Sequence, residues 1–559
     1  MSDLRSSPAR RVTILQLLVL FAAAFLTFAP SIAHPFVDLD DDLYVSLNPA
    51  VLHGLTAADM RWAFVGVSPN PDHINTYAGF FIPLTWLSLQ VDATLAPAPP
   101  SVIAERMGPG GDMVLPAAWM YHLDNTVQHA AAACLLFWFL WRATGARWPA
   151  FIAALLWAVH PLRVESVAWV TERKDTLAIV FGFLAFYLYT REAAGWTFFR
   201  ATGTTLAFVA SLLAKPMLLM FPFLLLLLDY WPLGRMRSRS EASRMVLQKV
   251  HLFVIAAIFA GITVFAQREG GALDLVPAPP AVRVANAAMS LVRYLYLDLV
   301  PVRLSLIYAY DLHPSVAGIV GAVVLLLLIT AGCIWQRRRF PHLLVGWLWF
   351  FIAFVPMIGL VQAGAQAYAD RFTLLPSVGL FVMLAWSLPT ASFLKPTLAG
   401  SALAAVLLAG LSLYRLSFWR SSVPLFRDAL RTDPDDFALD YNLGLALMRE
   451  HDFADAAQSF TRAAELNPDF PKAFPHALLA ARASAAEVAV PVLRRLVAVS
   501  PQSPEAHDML GLALTATHHL ADALPQFREA ARLNPHNAMY AHHVEQAEIA
   551  LATSAPATQ

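Results

Sequence analysis

The sequence predicts an all-α chain: a polytopic membrane helical bundle followed by a small C-terminal α-solenoid. Three observations lead there. Of the 559 residues, 58% are hydrophobic and only 14% charged, against roughly 25% charged in soluble proteins. The mean hydropathy is +0.56. Long apolar runs fill most of residues 12–418, whereas the remainder is mixed in character and repeats itself. The formal net charge is zero, so the chain has no broad electrostatic footprint for nucleic acid. Cys134 and Cys333 both sit inside apolar runs; two such thiols make neither a disulfide framework nor a cysteine-based zinc site, and they read as packing residues.

In lipid every backbone amide must be paired within its own segment, so the apolar runs read as helices. About eleven are expected: 12–32, 118–141, 148–160, 175–190, 199–214, 217–232, 250–267, 313–335, 343–361, 372–388 and 396–416. The first is longer than a signal-peptide core, and despite Ser31-Ile32-Ala33 it reads as an uncleaved helix. Segment 285–308 carries Arg293 and Asp298 and reads as interfacial or re-entrant.

Basic residues set the orientation. Arg5, Arg10 and Arg11, then Arg235, Arg237, Arg239, Arg244 and Lys249, then Arg337, Arg338 and Arg339 go to the cytoplasmic side. Loop 33–117 then faces outward, toward the periplasm in a bacterial inner membrane. An odd number of spans places the C-terminal repeats on the same side. The expected domains are 1–418 for the membrane part, 419–551 for about three repeats, and 552–559 as a disordered tail.

The repeats recur at a tetratricopeptide period. Leu443-Gly444, Ala456, Phe460, Ala463 and Pro468 return as Leu510-Gly511, Ala523, Phe527, Ala530 and Pro535. Glycine and alanine let two antiparallel helices approach, the phenylalanine fills the gap, and the proline ends the second helix. The middle unit is degenerate, anchored by Phe474, Leu493, Leu496 and Pro501. Such arrays present a concave face to peptides or simply pack as scaffolds.

Charges at membrane depth mark function more often than not. Asp38-Leu39-Asp40-Asp41-Asp42 follows the first span; clustered carboxylates can accept a proton, hold a cation, or begin a solvated loop. In His160–Asp175, a helix over 163–175 would put Glu165, Trp169 and Glu172 on one face, with Arg173 beside them. An acid, an aromatic and a base on one face suit a sugar phosphate; the plainer alternative is a salt-bridged interfacial turn. Lys215 and Asp370-Arg371 add charge on the predicted outer side, and Asn125 and His129 share a face of the second span. Arginine can fork two bonds to phosphate oxygens. No serine elbow, phosphate-cradling glycine loop or histidine metal pair is apparent.

Several segments, in order, carry a family likeness: Phe36–Val45 with Asn48-Pro49, Pro83-Leu84-Thr85-Trp86-Leu87-Ser88, His160–Asp175, Ala214-Lys215-Pro216-Met217, Asp229-Tyr230-Trp231-Pro232-Leu233-Gly234, and Ala369-Asp370-Arg371-Phe372-Thr373 through Pro376. Together they resemble the bacterial relatives of the transmembrane and tetratricopeptide-repeat O-mannosyltransferases, within the GT-C glycosyltransferases. The resemblance spans essentially the whole chain. It implies a GT-C-like bundle using a polyprenyl-phosphate-linked sugar on the outer side, with a protein Ser/Thr hydroxyl or a glycan as acceptor and the repeat groove as a place to hold it. It maps the acidic pair of the first outer loop onto Asp40 and Asp41, one of them the general base, with inversion at the anomeric carbon. Arg173, Lys174, Lys215 and Arg371 are the phosphate candidates. Glu165 and His160 are further substrate-binding candidates. No metal ligands are assigned, and a divalent metal is left open. The chain departs from the pattern at Phe81-Ile82, where a tryptophan-histidine pair is expected, at Arg163 and at Phe372; the first change weakens any histidine role in that loop. A proline- and glycine-rich insertion, 96–116, has no reading. Two rival readings are a transporter of lipid-linked sugars, which would show repeated halves and broken helices, and a non-catalytic scaffold for envelope assembly.

Overall fold

The computed structural model describes residues 7–65, 79–97, 117–192, 198–271, 278–361, 364 and 366–554. Most of the insertion-like stretch, Arg5 and the last five residues lie outside them. Among the described residues the chain is helical throughout, without a strand. It divides into two compact units, Met1–Ser421 and Ser422–Gln559.

The longer helices of the first unit, among the described residues, are α1 (Ser7–Phe28), α2 (Ala57–Val65), α3 (Pro83–Leu95), α4 (Ala118–Thr144), α5 (Arg147–Ala158), α6 (Arg173–Glu192), α7 (Phe198–Ala214), α8 (Phe221–Tyr230), α9 (Arg239–Leu247), α10 (Val250–Glu269), α11 (Pro280–Leu299), α12 (Val316–Gln336), α13 (Pro341–Phe354), α14 (Ser377–Ser387) and α15 (Leu394–Leu416). The core lies where α4, α5 and α6 meet: Phe139 stacks on Phe186 at 5.1 Å, and Trp157 meets Phe183 edge-on at 5.4 Å. Helices α13 and α14 cross at Gly346 and Gly379, where a Cβ on either would run into the other's carbonyl. Such small-residue crossings suit helices that pack in lipid.

Among the described residues, four helical segments are long and apolar enough to cross a membrane: Arg11–Ala33, Val250–Glu269, Val316–Gln336 and Leu394–Arg420. A fifth is counted if the bent pair Arg147–Ala158 and Pro161–Ala168 forms one span. Several of the eleven expected spans are shorter as helices than as apolar runs. Those at 217–232, 343–361 and 372–388 hold helices of 10, 14 and 11 residues, which rise only about 15–21 Å against a hydrocarbon core of about 30 Å. Proline limits them. Helix α13 stops just before Val355-Pro356, α14 starts after Pro376 and ends before Pro389, and α8 ends before Pro232. Of segment 285–308, residues up to Leu299 belong to α11, outside the four candidate spans, and the rest is irregular; α11 buries Asn286, Ser290, Tyr294 and Asp298 along one side.

The second unit contains α16 (Ser422–Thr432), α17 (Phe437–Arg449), α18 (Phe453–Leu466), α19 (Ala473–Ala483), α20 (Ala486–Val499), α21 (Pro504–Ala516), α22 (Leu520–Leu533) and α23 (Ala538–Ser554). Three helical hairpins follow the sequence repeats. A Cβ on Gly444 would lie 2.7 Å from the Phe460 ring, and one on Gly511 would lie 2.5 Å from Phe527, so each glycine makes room for its own repeat's phenylalanine. Of the tail expected over 552–559, residues up to Ser554 belong to α23, and the rest lie outside the described residues.

Candidate functional site

The segment joining α5 to α6 is not the continuous helix expected over 163–175. It forms a 3-10 turn at Pro161–Arg163, a short helix at Val164–Ala168, an extended residue at Trp169 (φ −85°, ψ 115°) and a second 3-10 turn at Val170–Glu172. Carbonyls left over at the break need partners. Asn125 of α4 supplies them, its Nδ2 donating to Val167 O at 3.3 Å and Trp169 O at 3.2 Å. The break turns Glu165 and Glu172 toward one cation, Arg371.

A buried charge cluster results. Glu172 faces Lys174 Nζ at 3.1 Å, Lys215 Nζ at 2.9 Å and Arg371 Nε at 3.4 Å. Lys215 also binds Asp175 at 2.6 Å, and Asp175 accepts from Ser166 Oγ at 3.1 Å. Glu165 receives the Arg371 backbone N–H at 2.9 Å and its guanidinium. Burial works to raise the Glu172 carboxyl, but Lys174, Lys215 and Arg371 outweigh it and keep Glu172 below the usual carboxylate range. Trp169 closes the cluster, with Lys174 at 5.7 Å and Arg371 at 5.6 Å from its ring; Lys174 also lies 4.8 Å from the ring of Tyr44. Lys215 is fixed through its neighbour, since Thr85 Oγ1 donates to Ala214 O at 2.9 Å. That bond joins the Pro83–Ser88 and Ala214–Met217 segments of the sequence.

The structure separates the two aspartates. Asp41 is fully buried and accepts three hydrogen bonds: from Val37 N at 3.0 Å, Thr171 N at 2.9 Å and Thr171 Oγ1 at 2.7 Å. Burial raises its carboxyl to about 7 despite those donors. It ties the acidic loop to the broken segment. Asp40 is half-buried, and among the described residues no hydrogen-bond donor holds its carboxylate. Burial raises its pKa, while Lys174 and Arg371 oppose that rise and Glu172 adds to it. Asp40 thus stands at the edge of the cluster with lone pairs uncommitted. Tyr44 packs on Trp86 at 4.8 Å and Trp86 on Trp62 at 5.3 Å, giving the loop its own aromatic footing.

Two candidates serve the fold instead of a ligand. Arg173 points away from the cluster, and all five of its N–H donors are engaged. Nε meets Asn125 Oδ1; Nη1 meets Ser88 Oγ at 2.9 Å and Asp124 at 2.7 Å; Nη2 meets Asp92 and Tyr121 O, each at 2.7 Å. A guanidinium has five donors, so none remains for phosphate. His160 is fully buried; Nδ1 accepts Leu162 N at 3.3 Å, leaving Nε2 as the donor to Asp298 O at 3.2 Å. It caps a turn. Lys174, Lys215, Arg371, Glu165 and Asp40 come together; Asp41 braces them. Thr171, Ser166 and Asp175 were not singled out from sequence, and the Thr171–Asp41 pairing, bridging distant parts of the chain, leaves no local signal.

Comparison with known proteins adds to this geometry. A tetratricopeptide-repeat sequence family matches residues 407–471. Protein O-mannosyl-transferase F38B6.6 of Caenorhabditis elegans is 24% identical over 372 residues, covering 63% of this chain and 51% of that protein. Protein O-mannosyl-transferase TMTC3 of Mus musculus is 25% identical over 391 residues, covering 62% of this chain and 42% of that protein. The chain therefore spans about half the length of these curated relatives. Among solved structures, MamA 41-end from Desulfovibrio magneticus RS-1 is 23% identical at a TM-score of 0.19, covering 23% of this chain and 74% of that one.

Proposed function

We propose that this chain, a relative of the transmembrane and tetratricopeptide-repeat O-mannosyl-transferases, is a membrane glycosyltransferase of the GT-C type with about eleven membrane segments. It takes a sugar from a polyprenyl-phosphate donor on the periplasmic side of an inner membrane. The acceptor is a protein Ser/Thr hydroxyl or a glycan, held by the repeat groove. The observation that carries the reading is an uncommitted carboxylate, Asp40, at the edge of a buried cluster of Lys174, Lys215 and Arg371.

Asp40 takes the acceptor hydroxyl proton as the oxygen attacks the anomeric carbon. The carbon–oxygen bond to phosphate breaks on the opposite face, inverting the centre, and its electron pair leaves on the phosphate. Positive charge grows on the sugar as in glycoside hydrolysis, and negative charge grows on the phosphate, where preorganised cations act most strongly. Arg371 keeps its Nη2 uncommitted among the described residues and is the foremost phosphate ligand. Glu165 and Glu172 aim that guanidinium.

The test is sugar transfer in membranes holding wild-type, Asp40→Asn or Arg371→Gln protein, supplied with a panel of polyprenyl-phosphate sugars and read by mass spectrometry of envelope proteins and glycans. Transfer by the wild type, lost in Asp40→Asn at normal protein level, is the expected result. Full transfer by Asp40→Asn removes it as the base, and no transfer from any donor by the wild type favours a scaffold.

A further inference from the structure

A second charged site lies at the other end of α6. Lys174 stands at the start of this helix and Tyr189 near its end, about 22 Å apart along the axis at 1.5 Å per residue. There Asp229 is fully buried. It accepts the Tyr189 hydroxyl at 2.7 Å and Arg235 Nη1 at 3.0 Å, and it also binds Lys249. This node uses the charges of Arg235 and Lys249 and anchors the chain on either side of α9. It is the structural meaning of the Asp229–Gly234 segment, which the proposed chemistry leaves unused.

Between those anchors, Arg237, Arg239 and Arg244 are exposed; among the described residues none lies within ion-pair distance of a carboxylate, and Arg244 acts on Glu241 only from farther off. The single acid in the stretch, Glu241, is occupied as a helix cap: its carboxylate accepts the backbone N–H of Arg237 at 2.9 Å and of Ser238 at 3.0 Å, while Ser238 Oγ accepts from Glu241 N. Helix α9 docks through Met245, which is 2% exposed, and turns Leu247 outward at 70%. Just past the turn at Gln248-Lys249, Val250, Val254 and Ile258 of α10 are also exposed, at a spacing of four residues that keeps one face of that helix. Helix α10 is itself one of the four candidate spans. An exposed apolar stripe along a span belongs in the acyl region, so the arginines where it ends stand at headgroup level.

We propose that α9 and the start of α10 bind anionic phospholipid, with Arg237, Arg239 and Arg244 on headgroup phosphates and Leu247 and Val250 against the acyl chains. Charge complementarity and the exposed apolar stripe of α10 beside it select a lipid over a soluble anion. The site lies on the face of the bundle opposite the sugar-transfer cluster and is independent of that reading.

The full-length protein would be placed in nanodiscs of phosphatidylcholine mixed with phosphatidylglycerol, and the lipid that stays bound on transfer to detergent identified by native mass spectrometry. The wild type should retain phosphatidylglycerol preferentially. Each basic residue at a membrane surface contributes about 1 kcal/mol toward anionic lipid, roughly fivefold, so R237Q/R239Q/R244Q should lose on the order of a hundredfold of that preference. R337Q/R338Q/R339Q, which removes an equal charge beyond α12, should keep it. Equal retention by both variants, or equal loss in both, overturns the proposal. Should the first variant not fold, as read by its helical circular dichroism, salt titration of the wild type decides: preference that molar salt leaves unchanged also overturns it.

Discussion

Thr171→Val tests whether Asp41 holds the site together while Asp40 performs its chemistry. Valine keeps the shape of threonine and removes one donor, the hydroxyl 2.7 Å from Asp41 Oδ1. The backbone N–H of residue 171 and that of Val37 remain. A hydrogen bond to a buried charged group contributes roughly 1.5–3 kcal/mol, so the substitution should destabilise the protein by about that much when Asp41 is ionised. Because burial raises this carboxyl to about 7, the loss should be larger at pH 8 than at pH 5, where the group is protonated. Asp40→Asn is the contrast: among the described residues no donor holds that carboxylate, so stability should stay within about 0.5 kcal/mol while transfer is lost. The assay pairs thermal denaturation of purified protein at the two pH values with sugar transfer at saturating donor. Thr171→Val with unchanged melting and abolished transfer would refute the division of labour and move Asp41 into the chemistry.

Three further outcomes follow from the same geometry. Asp41's own contribution to stability should fall as pH rises between about 4 and 7: a carboxyl raised in the fold contributes most below its unfolded value of 3.8 and loses that contribution as pH passes the folded value of about 7. The span corresponds to something on the order of 4 kcal/mol, read as the change with pH in the stability difference between wild type and Asp41→Asn; a difference that stays constant across that range would refute it. Arg173→Met should cost about 3–5 kcal/mol by leaving Asp92 and Asp124 without their cation, seen as lost protein level and melting temperature; a selective rise in donor KM with normal melting would return Arg173 to the phosphate. Gly444→Val should destabilise the repeat unit by about 1–3 kcal/mol, because its Cβ would stand 2.7 Å from Phe460; Phe460→Ala in the same chain should recover part of that loss in circular dichroism of the full protein.

What the sequence disclosed followed the range of the interactions. The repeats were legible because Gly444 and Phe460 meet within one hairpin, so spacing alone carries the packing. The acidic loop and the bases were legible as rare charges among apolar runs. Arg173 misled because it is flanked by Glu172 and Lys174, both in the cluster, while its own partners on α3 and α4 pull it the other way. Glu165 and Glu172 do converge, but through a break at Trp169 that Asn125 stabilises, and not through helical periodicity. The apolar runs showed where helices lie but overstated several lengths, since hydropathy averages across the prolines that stop α8, α13 and α14.

The two hydrogen bonds that Thr171 gives Asp41 make the acidic loop a component that cannot be exchanged alone. Anyone grafting residues 34–48 from a relative would also import a carboxylate fitted to its own original clasp. A graft that leaves position 171 mismatched should misplace the neighbouring Asp40 even when every transplanted residue is correct. The unit of recombination in this bundle is therefore a pair of segments lying 130 positions apart, and successful chimeras should be those that carry both.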